Sequence, residues 1–458
     1  MSHLLVSATH KSSGKTTLTI GLCAALRARG LGVQPFKKGP DYIDPLWLGG
    51  AAGRPCHNLD FNTESRSEIR EAFARRMAGA DLGVIEGNLG LFDGLDLEGG
   101  NSNAALAALL DAPVVLVIDA EGMTRGVAPL LLGYQEFDPG IRIAGVILNN
   151  VAGGRHERRL RQVVERYSSI PLLGVVHRDP ALRIVERHLG LMPSNEAEQA
   201  GETIARIRDL VATQVELDSI VGVARSAPAI GPPAHSAGEP WSGARVRIGI
   251  ARDAAFGFYY PGDLEVIERC GGELVPIDTL SDGRLPPIDG LFLGGGFPES
   301  RMEALEANAS LREAVRAFIE GGGPAYAECG GLMYLSRSLT WKGKRCNMVG
   351  VVPGDAVMYE RPQGRGYVRL RETGASPWPS SGGQAVEIAA HEFHYSRLEN
   401  LEPPAAYAYE VLRGTGIDGS HDGIVHKNLL ASYSHMRNVG GNRWAERFVA
   451  HVRACSGG

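Results

Sequence analysis

The chemistry-bearing residues of this chain fall into two stretches. In the first, Ser13-Gly14-Lys15-Thr16-Thr17 follows a short apolar run at residues 4–8 and precedes Leu18, Leu22, Ala25 and Leu26 at helical spacing. Strand, polar turn and helix with Gly-Lys-Thr at the turn is the arrangement of a phosphate-binding loop. Backbone N–H groups at the helix start face phosphate oxygens, and the helix dipole favours their charge. Lys15 is placed for the β- and γ-phosphates of ATP, and the Thr16 hydroxyl for Mg²⁺. The generic motif has glycine five residues before Gly14; here Thr9 stands there. In the second stretch, Ala327-Glu328-Cys329-Gly330-Gly331 joins an apolar run to a helical one. A cysteine at a strand-to-helix turn, with small residues two positions either side, has the pattern of a nucleophile elbow. The start of the following helix favours the thiolate. Gly295 and Gly296 in the glycine run after Leu293, with Gly330, are candidates for presenting N–H groups to an oxyanion. A nucleophilic thiol needs a base. Spacing leaves His391, His394 and His435 open, whereas His421 and His426 read as solvated residues of a polar turn.

Positioning these groups takes regular elements. Apolar runs at 33–36, 82–85, 114–118, 143–148 and 172–176 alternate with amphipathic stretches. That alternation predicts an α/β fold, a parallel sheet with helices on both faces. Ligands of such sheets sit at the carboxyl ends of the strands. Lys37-Lys38-Gly39-Pro40-Asp41-Tyr42-Ile43-Asp44 follows one strand end, and Glu86 to Gly94 another; Asp119 and Asn149 end two more. Singly, each is an ordinary solvated turn. With the phosphate loop, the carboxylates supply hard oxygen ligands. Asp41 and Glu86 join Thr16 as the Mg²⁺ set, with Asp44 and Asp93 next in line. Asn149 either reads an adenine edge or caps its strand. Residues 226–244 are rich in Pro, Gly and Ser without periodicity, which reads as a linker. It separates an ATP-binding part, 1–225, from a second alternating unit, 245–458. There, strands are expected at 246–250, 274–277 and 291–293, with helices at 263–270 and around 302–320.

With 458 residues and 44% hydrophobic content the chain can bury real cores. A net charge of −5 and a pI near 6.3 point away from nucleic acid and anionic membrane. The six cysteines form no Cys-x-x-Cys pair, which argues against a zinc site and a disulfide framework. The first residues read as a strand rather than a signal peptide, and no apolar run reaches spanning length. A cytoplasmic location is expected.

The motifs Lys38-Gly-Pro-Asp-Tyr-Ile-Asp-Pro45, Glu86-Gly-Asn-Leu-Gly-Leu-Phe-Asp-Gly94, Arg187-His-Leu-Gly-Leu191, Gly294-Gly-Gly-Phe-Pro-Glu299, Tyr326-Ala-Glu-Cys-Gly-Gly-Leu-Met333 and His391-Glu-Phe-His-Tyr-Ser396 span nearly the whole chain. Through them it resembles the cobyrinic acid a,c-diamide synthase family. The resemblance implies a dethiobiotin-synthetase-like ATP domain followed by a class I glutamine amidotransferase domain. It also implies ATP and Mg²⁺, L-glutamine as nitrogen donor, a tetrapyrrole carboxylate as acceptor, and it allows for a homodimer. Cys329 matches the nucleophile and His435, in the Ser-Tyr-x-His position, its base. Glutamine would pass through a thioester, and the substrate carboxylate through an acyl phosphate that ammonia displaces. Many class I amidotransferases carry Glu two residues after the base; Arg437 stands there, so a dyad or a substitute acceptor is expected. Met436-Arg437, Lys38 and the glycine-poor turn His10-Lys11-Ser12-Ser13 also depart from the family's pattern. They leave the substrate open between cobyrinate, hydrogenobyrinate, sirohaem and nickel sirohydrochlorin, with a sirohaem-amidating variant as the alternative they raise. Two other classes are a nucleotide switch with Lys11 as a trans-acting lysine, and an amino-acid or biotin-precursor ligase with a degenerate second domain.

Overall fold

The computed structural model describes residues 1–179, 186–187, 190–196, 199–231, 241–380, 386–403 and 406–457. Residues 188 and 189 of the Arg187 motif and 232–240 of the expected linker lie outside these. The chain divides into two compact units, Met1–Ser236 and Ala237–Gly458.

The first unit alternates strand and helix. Its elements begin β1 (Ser2–Ala8), α1 (Lys15–Ala28), β2 (Val33–Lys38), α2 (Ile43–Ala52), β3 (His57–Leu59), α3 (Arg66–Arg76), β4 (Leu82–Glu86) and α4 (Asn103–Leu110). They continue β5 (Val114–Asp119), α5 (Val127–Phe137), β6 (Ile143–Val151), α6 (Gly154–Tyr167), β7 (Leu172–His177), α7 (Ala200–Gln214) and α8 (Leu217–Arg225). The seven strands pair in parallel in the order β3-β2-β4-β1-β5-β6-β7. β1 lies at the centre and is covered on both faces. Leu4, Val6 and Ala8 pack into the core shared with α1, α7 and α8, while Leu5 packs into the opposite one with Phe73 of α3 and Leu106 of α4. Burial on both faces is why β1 reads as a continuous apolar run.

The strands extend beyond the expected apolar runs, into Lys37-Lys38, Glu86, Asp119 and Asn149 to Val151. Ladder pairing holds these polar ends: Lys37 and Val6 are both register partners of Glu86. β3 has only three residues, too few for a period to show.

In the second unit five parallel strands, in the order Gly272–Ile277, Val246–Ala251, Gly290–Leu293, Ala325–Glu328 and Leu429–Ser432, continue into four antiparallel ones. These are His421–His426, Ala406–Arg413, Gly364–Glu372 and Glu387–His394. His421 and His426 therefore begin and end a strand and do not lie in a turn. Their side chains pair with Asp418 and Glu320, each at 3.0 Å. The expected helix around 302–320 is two helices, Met302–Ala307 and Ala309–Glu320, after a 3₁₀ turn at Pro298–Arg301. The break falls at Asn308, whose amide donates to the carbonyls of Thr279 and Asp282. The helix expected at 263–270 runs Pro261–Arg269.

One buried carboxylate shapes the turn that leaves Leu429–Ser432. Asp422 is fully buried and accepts the N–H groups of Gly423, Tyr433 and Ser434 and the Ser432 hydroxyl. If it is removed, Gly423 N and Tyr433 N lose this acceptor while Ser434 N keeps Ser432 Oγ at 3.1 Å, at about 1–3 kcal/mol for each unsatisfied group. Asp422→Ala is expected to lower the stability of this unit by about 3 kcal/mol or more, read as a lower urea midpoint. An unchanged midpoint would contradict this role.

Candidate active sites

The first site gathers at the carboxyl ends of β1, β2 and β4. Gly14 adopts φ 87° at the start of α1, and a Cβ there would stand 2.1 Å from Nδ2 of Asn149. Positive φ and close approach both require glycine at this position. The Asn149 amide donates to the Ser13 carbonyl at 2.9 Å, and the Ser13 hydroxyl closes the turn on His10 O at 2.8 Å. Asn149 is thereby tied to the loop backbone. Lys15 is 7% exposed. Burial lowers its ammonium pKa to about 8, against the raising effect of Glu86. Thr16 Oγ1 donates to Glu86 Oε1 at 2.6 Å, with Asp44 Oδ2 at 3.4 Å. Thr17 follows in the first turn of α1, half-buried.

Lys37 sits in the middle of the expected metal ligands. Its Nζ is 2.5 Å from Asp44 Oδ2, 3.0 Å from Glu86 Oε1 and 3.8 Å from Asp41 Oδ2. Burial works against its charge, but Asp44, Glu86 and Asp41 hold the ammonium pKa well above its ordinary value. Glu86 is fully buried, and burial raises its pKa despite Lys37. Its Oε2 has no hydrogen-bond partner among the described residues. Asp41 Oδ1 caps α2 through the N–H groups of Ile43 and Asp44, and burial lifts its pKa to about 7. Asp44, next in line for the metal from sequence, is thus the aspartate that Thr16 Oγ1 meets. Asp93 is exposed, accepts from Gly90 N at 2.9 Å, and lies within the field of Lys15.

The second site lies at the end of Ala325–Glu328. Cys329 has φ 47° and ψ −99°, an unusual conformation for a residue with a side chain. Its N–H is pinned by Ser432 O at 2.8 Å. The helix that follows, Gly330–Leu335, has six residues. A Cβ at Gly331 would stand 2.2 Å from Leu293 O, and one at Gly330 2.9 Å from Gly296 N. The elbow and the glycine run thus touch through backbone alone. His435 hydrogen-bonds both Cys329 and Glu328, with its Nδ1 3.3 Å from Glu328 Oε2. Burial disfavours its charge, but those hydrogen bonds and charges raise its pKa to about 10. A backbone bridge to His391 holds the main chain of His435. A Cβ at Gly295 would stand 2.7 Å from Cε1 of His435.

The two other histidines are placed differently. The His391 ring is pushed down to about 3 by burial and by the charge on His435. His394 stacks on Tyr433 at 3.9 Å, bonds Ser396 O through Nδ1, and faces Glu392 at 3.7 Å. It also lines a separate cavity of about 560 Å³ with Arg397, Tyr407 and Asp418.

Comparison with known proteins matches residues 4–191 to the CobQ/CobB/MinD/ParA nucleotide binding domain and 247–442 to the CobB/CobQ-like glutamine amidotransferase domain. A cobyrinate a,c-diamide synthase of Magnetococcus marinus is 49% identical over 96% of this chain and 95% of its own. Proteins of the same name from Methanosarcina acetivorans and Archaeoglobus fulgidus are 38% and 41% identical, over 95% and 97% of this chain and 92% and 96% of theirs. The chain belongs to the cobyrinate a,c-diamide synthase family. It is a ligase with a glutamine amidotransferase unit, which sets aside the nucleotide-switch reading. Among the described residues, no helix is long and apolar enough to cross a membrane.

Two side chains of these sites were not singled out from sequence, Lys37 and Glu328. Glu328 lies in a motif that carries the family resemblance and Lys37 just before another, but their partners become visible only through sheet register and a contact 107 residues away.

The approach of Gly295 to His435 has a measurable consequence. Gly295→Ala is expected to displace the imidazole and lower glutamine hydrolysis on the order of 10²-fold, the effect of an ångström-scale misplacement. Glutamate release measures it; a wild-type rate would show that the contact does not constrain the ring.

Proposed function

We propose that this chain amidates side-chain carboxylates of a cobyrinate-type tetrapyrrole, with ammonia from L-glutamine and activation by ATP. The reading is carried by one observation: a single chain holds both a phosphate loop and a cysteine elbow paired with histidine. Its near-full-length relatives bear the name cobyrinate a,c-diamide synthase.

In the second unit the Cys329 sulfur attacks the glutamine carboxamide carbon. Gly295, Gly296 and Gly330 lie where N–H groups can meet the oxyanion. His435, protonated in the resting pair, gives its proton to the leaving ammonia. It then takes one from the water that hydrolyses the thioester and releases glutamate. In the first unit Ser13 to Thr17 hold the ATP phosphates, with Lys15 on the β- and γ-phosphates. A carboxylate is a poor electrophile because its leaving group would be oxide. Phosphoryl transfer gives an acyl phosphate, and ammonia displaces phosphate from it.

Mg²⁺ fits the oxygens at the first site. Thr16 Oγ1, Asp44 and Glu86 are hard donors, and the unpartnered Glu86 Oε2 is a lone pair awaiting a cation or proton. The ion would neutralise charge on the transferring phosphate. Lys37 already balances these carboxylates, so Thr16 Oγ1, Asp44 and Glu86 would be the protein groups to hold a metal there.

Incubating the enzyme with ATP, glutamine and a panel of cobyrinate, sirohaem and nickel sirohydrochlorin tests the reading. Mass spectra are expected to shift in units of one hydroxyl-to-amide exchange with cobyrinate. No product from any of the three would overturn the tetrapyrrole assignment. Two variants separate the half-reactions. Lys15→Ala is expected to abolish amidation and spare glutaminase; normal ATP turnover in this variant would remove the phosphate-loop role. Cys329→Ser is expected to lose glutamine-dependent amidation but keep the ammonium-dependent reaction near wild type, because a hydroxyl proton is far harder to remove than a thiol's. Loss of both donors in folded protein would tie Cys329 to carboxylate activation instead.

A further inference from the structure

A base that works through one imidazole nitrogen needs its other N–H held by an acceptor; without one, the ring takes the wrong tautomer or turns away. The position two residues after His435, where many class I amidotransferases place glutamate, holds Arg437, which cannot accept. Its guanidinium lies 4.9 Å over the ring of Tyr260. Other buried carboxylates nearby are committed elsewhere. Asp263 accepts Asn438 N and the Trp444 indole N–H. Asp422 is taken up by the 432–434 turn. Glu392 accepts the N–H groups of Thr415 and Gly416 and faces His394.

Glu328 is different. Its side chain is 4% exposed, and its two oxygens have separate tasks. Oε1 accepts the Tyr326 hydroxyl at 2.6 Å and Met436 N at 2.8 Å, which fixes the carboxylate plane. Oε2 is left toward His435 Nδ1. Nδ1 faces Glu328, which leaves Nε2 as the nitrogen available for the bond of His435 to Cys329. The backbones are fixed too. Glu328 and Ser432 are register partners on parallel strands, Ser432 O holds Cys329 N, and His391 bridges His435. A distance of 3.3 Å is long for a charge-assisted bond, but catalytic contacts often tighten only when substrate is bound.

We propose that Glu328, the residue immediately before the nucleophile, is the acid that orients His435 and stabilises its protonated form. This rests on the reading of Cys329 and His435 as the glutaminase pair. Glu328 acts through His435 and is a positioning residue. The other groups facing this centre do not compete for the role. His391 is neutral above its lowered pKa. Asp263, raised to about 7 by burial, and the phenols of Tyr259, Tyr326 and Tyr409 lie within the field of Glu328, and Arg437 acts on Asp263.

Glu328→Gln keeps the shape but turns an acceptor-only group into one that can present N–H to Nδ1. Glutaminase kcat is expected to fall by about 10²–10⁴, as when a triad carboxylate becomes an amide, with the glutamine KM within about threefold. The rate of Cys329 alkylation by iodoacetamide reads the thiolate. Across pH 6–9 wild type is expected to be nearly flat, because His435 stays protonated beside the sulfur. In Glu328→Gln the rate at pH 6.5 is expected to be at least about tenfold lower and to climb toward wild type with rising pH. Glu328→Asp, which keeps the charge, should retain the flat profile with a reduced kcat. It also serves if the glutamine variant fails to fold, since a sloping profile in it then counts against the inference. A wild-type kcat and flat profile in folded Glu328→Gln, or a uniform fall in kcat and alkylation without a change of slope, overturns the inference. Glutaminase activity surviving in Cys329→Ser would instead overturn the reading beneath it.

Discussion

A charge taken out of water must meet an opposite charge, and both sites of this protein are arranged around that requirement. Isolating a buried ammonium or carboxylate costs several kcal/mol. Lys37 and Glu86 are register neighbours on adjacent parallel strands, so the sheet itself brings the ammonium to the carboxylate. Asp44 arrives from the first turn of the next helix, which Asp41 caps. In the second unit His435 lies between the Cys329 sulfur and Glu328. In both, the strands end where the paired charges begin, and pairing lets the strands run past their apolar residues.

What was legible in the sequence is what local geometry decides. Gly14 was readable because a phosphate loop needs positive φ and a bare Cα at one place. The Cys329 elbow was readable because its sharp turn needs Ala327 and Gly331. Lys37 follows a strand end with nothing in sequence to assign it a role, since only register shows that it faces Glu86 rather than solvent. Glu328 reads as the last residue of a strand until the chain returns with His435. His394 is a related case: strand alternation in Glu387–His394 puts Glu392 and His394 on one buried face and His391 on the other. Their spacing was visible, but the face that meets His435 was not. The antiparallel half of the second unit was also missed. Gly364–Glu372 does alternate, with Val368 and Leu370 inward and Arg365 and Arg369 outward. No strand is expected there from sequence, because its arginines and glutamate interrupt the apolar run.

An acid beside the nucleophile, on its own strand, changes how the pair is assembled. Two elements suffice: the end of Ala325–Glu328 with its turn, and the turn after Leu429–Ser432. The residues after His435 are then free of the acid's role, and Arg437 at the usual position is no obstacle. The arrangement has a cost as well. Glu328 and a negative sulfur are adjacent in sequence and repel unless a cation stands between them. His435 stands there, and its hydrogen bonds and charge interactions with Cys329 and Glu328 raise its pKa to about 10 against the effect of burial.

The same electrostatics governs how the imidazole can change roles during the proposed reaction. A group with so high a pKa is a poor proton donor at neutral pH, and a leaving ammonia needs a proton. Attack by sulfur removes the difficulty. Once the sulfur is bonded to the acyl carbon its negative charge is gone, and one of the two interactions that raised the His435 pKa disappears. The imidazolium becomes more acidic at the step that calls for an acid. After the proton leaves, the neutral ring beside an uncharged thioester can accept one from water. When glutamate departs and the sulfur regains its charge, the pKa rises again and the proton is held. With Glu328 constant throughout, it is the Cys329 side of His435 that changes between these steps, first a sulfur and then a thioester.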